Sequence, residues 1–146
     1  MLKNILMATD GSKQSEKAAK FGVDLAKLSG GKVTALYVGA RHVAPIGGLP
    51  PKEMDAVANG MWKAVQDEGN NAMQYVEDLG KKSGVQVEKK FIEGHPANEI
   101  MKLAEETSMD IIVMGSIGKT GLSKFLLGSV ADKVVRNSKV PVTVVP

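Results

Sequence analysis

Gly115, Gly118 and Gly121 stand close together, Lys119 and Thr120 lie among them, and Gly128-Ser129 follows after a short gap. Glycines let a backbone approach a ligand closely and adopt positive φ, and successive amide N–H groups can then gather into an anion nest. A helix opening at Gly128-Ser129 would add unpaired N–H donors, the positive end of its dipole and the Ser129 hydroxyl. Phosphate is the natural tenant, and two separate anion-binding elements point to a polyphosphate. Other chemistries have little to draw on. The chain has no Cys, which removes disulfides, thiolate metal sites and Cys nucleophiles. Its two imidazoles are His42, in a Pro/Gly loop with no assigned role, and His95, which reads as a helix-start residue ahead of Pro96.

Five short β-rich runs alternate with longer segments of helical spacing, the pattern of a parallel α/β sheet. The strands are expected at Asn4–Ala8, Lys32–Val38, Val85–Ile92, Asp110–Met114 and Val140–Val145. The first and fourth are the most continuously apolar and read as central strands covered on both faces, with the others further out. A first helix is expected over Lys13–Ser29, capped by Ser12, ended by Gly30-Gly31, and burying Ala18, Phe21, Gly22, Leu25 and Ala26. A long second helix, Pro51–Lys82, carries Met54, Val57, Met61, Val65, Ala72, Val76 and Leu79 at helical spacing, with Gly60 and Gly69 interrupting its propensity. A third starts at Pro96 and buries Ala97, Ile100, Met101 and Ala104. A fourth lies within Leu122–Asn137, with Leu126, Val130, Ala131, Val134 and Val135 inward. Gly39–Pro50 is irregular by virtue of its prolines and glycines.

In an open parallel sheet, ligands bind beyond the carboxyl ends of the strands, where connections diverge. Asp10 follows the first strand and falls at that edge; Asp110 opens the fourth and falls at the opposite one, about 15 Å away at ~3.3 Å per residue. Val38, the Glu93-Gly94-His95 turn and the loop from Gly115 share the productive edge with Asp10. The loop is no Walker A motif, because Val113 stands where that motif needs its first Gly. Nor is it a dinucleotide fingerprint, since two residues separate Gly115 from Gly118.

The pattern present is Gly-x2-Gly-x9-Gly-Ser, formed by Gly115, Gly118, Gly128 and Ser129. It resembles the nucleotide-binding motif of the universal stress protein family, in its ATP-binding, UspA-like branch. The likeness extends to Ile5-Leu6-Met7-Ala8-Thr9-Asp10-Gly11-Ser12, to Glu93-Gly94-His95-Pro96 and to Val140-Pro141-Val142-Thr143-Val144-Val145, and so covers essentially the whole chain. The resemblance implies a Rossmann-like open five-stranded parallel sheet in the order 3-2-1-4-5, with two helices on each face. It implies that Ala8, Thr9 and Asp10 line an adenine–ribose pocket, that Asp10 binds the ribose and that the Val38 backbone meets adenine. Gly115, Ser116, Gly118, Lys119, Thr120 and Gly121 would cradle the phosphates, and Gly128, Ser129, Val130 and Ala131 would close the site. ATP or another adenine nucleotide is the implied cofactor, with Mg²⁺ or Mn²⁺ held mainly by phosphates. The residues 140–145 strand is an unprotected edge, and in the family it commonly pairs across a homodimer axis.

Length and composition agree with one domain over residues 1–146. The chain is 43% hydrophobic, 24% charged and 4% aromatic, which places it among folded globules. A formal charge of +3 with scattered Lys is too weak a bias to argue nucleic acid, though it suits a small anionic ligand, and no apolar run approaches the ~20 residues of a membrane span. A cytoplasmic location is the expectation. The leading functional expectation is an ATP-dependent regulatory switch in a stress response, acting on an unknown partner protein. A slow ATP hydrolase or nucleotidyl-transfer enzyme in the same pocket is the alternative.

Overall fold

The computed structural model describes residues 1–41, 47–117 and 126–146. Its elements run β1 (Asn4–Ala8), α1 (Lys13–Ser29), β2 (Lys32–Gly39), α2 (Pro51–Ser83), β3 (Val87–Glu93), α3 (Pro96–Glu106), β4 (Ile111–Gly115), α4 (Ser129–Asn137) and β5 (Val142–Val145). All neighbouring strands are parallel, in the order β3-β2-β1-β4-β5. The order of connections reverses beside β1, so the carboxyl ends of β1 and β4 flank the crevice where such sheets bind ligands.

Side chains alternate across the sheet, and each face builds its own core. Ile5 and Met7 of β1 pack with Ala18, Ala19, Val23, Ala72 and Val76 of α1 and α2. Leu6 and Ala8 face the other way, against Ala97, Ile100 and Ala104 of α3 and Ala131 and Val134 of α4. Both β1 and β4 are buried on both faces, as their unbroken apolar runs demand. β2 is also internal, paired to β1 and β3, because two helix layers cover it as fully as they cover β1.

Several expected inward positions turn outward. Phe21 is exposed while Ala19 and Val23 are buried, because α1 meets the sheet along a stripe rotated from the one expected. The stripe on α2 is continuous, yet its buried members all lie in the carboxyl half, from Gly69 to Gly80, while Val57 and Met61 are exposed. At ~1.5 Å per residue its 33 residues exceed the span of the strands beneath it, so the amino half overhangs. Gly69 is what allows the close packing: a Cβ there would sit 2.6 Å from both the Phe91 and Tyr37 rings. Leu126 and Val135 are also exposed, and α4 buries only Ala131 and Val134. Leu103 of α3 is buried and Met101 only partly so. Val85 precedes β3, its N–H donating to the Gly80 carbonyl as part of the α2 cap. Among the described residues no helix is long and apolar enough to cross a membrane.

Candidate functional site

A cavity of about 260 Å³ opens at the carboxyl edge of the sheet, on the α3–α4 face. Ala8, Thr9 and Asp10 line it from the end of β1, Leu36 and Val38 from β2, and Met114 and Gly115 from β4. Pro96 and Ile100 of α3 form one wall; Gly128, Ser129, Val130 and Ala131 form the other at the start of α4. Ile117 and Ser15 complete it.

Three strand ends give the cavity a graded chemistry. On β2, the Leu36 carbonyl accepts the Thr9 N–H at 2.9 Å, and the Gly39 carbonyl accepts the Gly94 N–H at 3.0 Å. Successive β2 residues therefore point their peptide groups alternately toward β1 and β3. Val38 points toward β1, two residues past Leu36, where the β1–β2 register ends at Ala8. Its N–H and C=O form a donor–acceptor edge at the cavity wall, beside the apolar side chains of Leu36 and Ile100.

At the end of β1 the chain turns sharply. Gly11 has φ +79°, a left-handed conformation that side chains disfavour. The turn is held by Asp10, whose Oδ1 accepts the Ser12 N–H at 2.9 Å and the Ser15 hydroxyl at 2.5 Å. This is an Asx turn feeding a capped helix: Ser12 Oγ accepts the Ser15 N–H at 3.2 Å. The phenol of Tyr37 titrates above its usual range, first because it is buried and second because of the Asp10 charge.

The third wall is the start of α4. Its first turn has no side-chain cap, so the N–H groups of Ser129, Val130 and Ala131 have no partner within the helix. The Gly128 N–H is engaged, donating to the Ser116 carbonyl at 2.7 Å, and the Ser116 N–H donates to the Val145 carbonyl at 2.9 Å. Ser116 thus ties β5 to the start of α4 and is not among the lining residues.

Of the residues singled out by sequence, Ala8, Thr9, Asp10, Val38, Gly115, Gly128, Ser129, Val130 and Ala131 converge on this one cavity. Gly118, Lys119, Thr120 and Gly121 lie outside the described residues, as does His42. His95 caps α3 in extended backbone without a side-chain bond to the helix. Asp110 stands at the far edge, where its Oδ2 accepts the N–H groups of Lys3 and Asn4, both at 2.8 Å. Those bonds hold its carboxyl below the ordinary aspartate range. Sequence reasoning missed Ser15, Leu36, Pro96, Ile100, Met114 and Ile117. Leu36 was inferable as the same-face neighbour of Val38, and Ile100 as one turn on from Pro96.

The sequence model described as the universal stress protein family matches residues 1–146. The chain belongs to the universal stress protein family. Within that family it is 41% identical over 149 residues to universal stress protein MJ0531 of Methanocaldococcus jannaschii, covering 99% of this chain and 82% of that protein. The solved structure of MJ0577 from the same organism superposes with a TM-score of 0.82 at 34% identity, over 99% of this chain and 96% of that one. A universal stress protein from Archaeoglobus fulgidus, solved in complex with dAMP, shares the fold at a TM-score of 0.67 and 21% identity, covering 100% and 98% of the two chains.

Proposed function

We propose that this universal stress protein binds an adenine nucleotide, ATP in the first place, and acts as a nucleotide-dependent regulatory switch. The observation that carries the reading is the gradient across the cavity. An apolar slot with the Val38 peptide edge lies at β2, a carboxylate at β1, and Gly115 with the open helix N–H groups at the end of β4 and the start of α4. A nucleotide laid along this edge puts its base against β2, where an amino-purine can give and accept one hydrogen bond each. Its phosphates then lie at the start of α4, where the dipole favours anions. The sugar falls between them, over Asp10. Gly118, Lys119, Thr120 and Gly121 extend the phosphate cradle in this proposal. The A. fulgidus protein's dAMP complex supports adenine as the base.

The donor set suits a phosphate-borne cation. Among the described residues no group of three or more His, Asp or Glu gathers as a metal cage. Mg²⁺ or Mn²⁺ would therefore be held mainly by phosphate oxygens and water. Asp10 is committed through Oδ1 to Ser12 and Ser15, which suits holding a sugar better than activating a water, so switching is preferred over hydrolysis. The test is to denature freshly purified protein and identify released small molecules by mass spectrometry. Adenine nucleotide near one per chain is expected; an empty protein that also takes up none on incubation contradicts the reading.

Homodimerisation through β5 is part of the proposal. β5 is an edge strand, and Pro141 and Val145 turn their carbonyls toward β4, so Val142 and Val144 direct theirs outward. Val144→Pro removes an outward N–H and no β4–β5 ladder bond. It should halve the mass measured by light scattering, whereas a dimer that persists would place the interface elsewhere.

A further inference from the structure

We propose that Ser15 is a positioning residue that makes the site selective for a ribose, by fixing the carboxylate of Asp10 in the orientation that receives sugar hydroxyls. The inference rests on the adenine-nucleotide reading above. Ser15 is the third residue of α1, a place that usually faces water, yet it is 4% exposed and lines the cavity.

A serine hydroxyl has one proton to give and two lone pairs, and all three are used here. The hydroxyl donates to Asp10 Oδ1 at 2.5 Å and accepts the Asp10 N–H at 3.1 Å. Ser12 Oγ lies 3.0 Å away and supplies the third partner by donating its own proton. One side chain therefore grips both the backbone and the carboxylate of Asp10, and the Ser12 N–H holds the same Oδ1 from the other side. Rotation of the carboxylate is arrested, and burial keeps water from replacing the hydroxyl. Capping of α1 does not need this group, because the cap bond runs from the Ser15 N–H to Ser12 Oγ. Removing the hydroxyl should leave the helix intact while loosening the Asp10 carboxylate and leaving the Asp10 N–H without this acceptor. A fixed acceptor loses no orientational freedom when a hydroxyl reaches it, which is the advantage of preorganisation.

The experiment measures dissociation constants for ATP and 2′,3′-dideoxy-ATP by calorimetry and takes their ratio as ribose selectivity. Wild type should favour ATP. Ser15→Ala should lower the ratio about threefold, part of what one charge-assisted hydrogen bond is worth, with a modest loss of Tm from the unpaired Asp10 N–H and little change in dideoxy-ATP affinity. Ser15→Cys keeps the side-chain shape with a weak donor and should do the same, which covers an alanine variant that folds poorly. Ser15→Thr should restore the ratio. In an Asp10→Ala background, Ser15→Ala should have no further effect on it. The proposal is overturned if the ratio is unchanged in both Ala and Cys variants, if both ligands weaken equally, if Thr fails to restore it, or if the effect persists without Asp10. Wild type that binds neither nucleotide overturns the functional reading as well. Tight ATP binding with an unmoved ratio overturns the role of Ser15 alone.

Discussion

The two ends of the sheet each carry an aspartate beside β1, and the two do different work. Asp110 at the amino edge binds the Lys3 and Asn4 backbone N–H groups and fastens β1 to the start of β4. Asp10 at the carboxyl edge is held by Ser12 and Ser15 and lines a cavity. The glycines divide the same way. A Cβ on Gly31, at the amino edge, would lie 2.7 Å from the Leu2 carbonyl oxygen, whereas Gly128 at the carboxyl edge lines the cavity in ordinary extended backbone, φ −58° and ψ 154°. Residue type does not separate these roles; position along the strand direction does.

Matched substitutions at the two edges can break that comparison. Gly128→Glu places bulk and negative charge where the phosphates are proposed, and juxtaposed like charges cost on the order of several kcal/mol. ATP affinity should fall at least about 100-fold while Tm holds, read by calorimetry beside a thermal melt. Gly31→Ala should do the reverse, costing about 1–3 kcal/mol of stability from overpacking and leaving nucleotide affinity alone, as urea unfolding and the same titration would register. Asp10→Ala should weaken ATP about tenfold with a modest loss of stability, whereas Asp110→Ala should lower Tm and leave affinity unchanged. An Asp110→Ala protein that binds ATP more weakly would break the division of labour.

The smallest effect sharpens it through pH. Because native backbone bonds depress the Asp110 carboxyl, its charged form stabilises the fold above the ordinary aspartate range, and that contribution is lost as pH falls through the native value. Melts of wild type and Asp110→Asn should differ most near neutrality and converge in acid. A gap that is constant across pH would mean that the carboxylate charge contributes nothing.

Much of this was legible in the chain. β1 and α1 fall at their expected residues, because an unbroken apolar run and a Ser12 cap with Gly30 behind it are strong local signals. Strand direction alone separates Asp10 from Asp110. Periodicity could not say which part of a stripe finds a partner. Val57 and Met61 share a stripe with Val76, yet only Val76 lies over strands, because coverage depends on where the sheet ends. Ser15 was hidden for a different reason. Its spacing from Ser12 reads as ordinary helix capping, and only the folded turn brings its hydroxyl onto Asp10.

The carboxyl edge is proposed to bind an adenine nucleotide with its phosphates at the start of α4. Calorimetric titration of nucleotide-free protein with ATP and Mg²⁺, wild type beside Gly128→Glu, tests it most directly. Binding near one per chain is expected in wild type, and its loss in a variant that melts at the same temperature. No binding by wild type, or equal affinity in the variant, would contradict it.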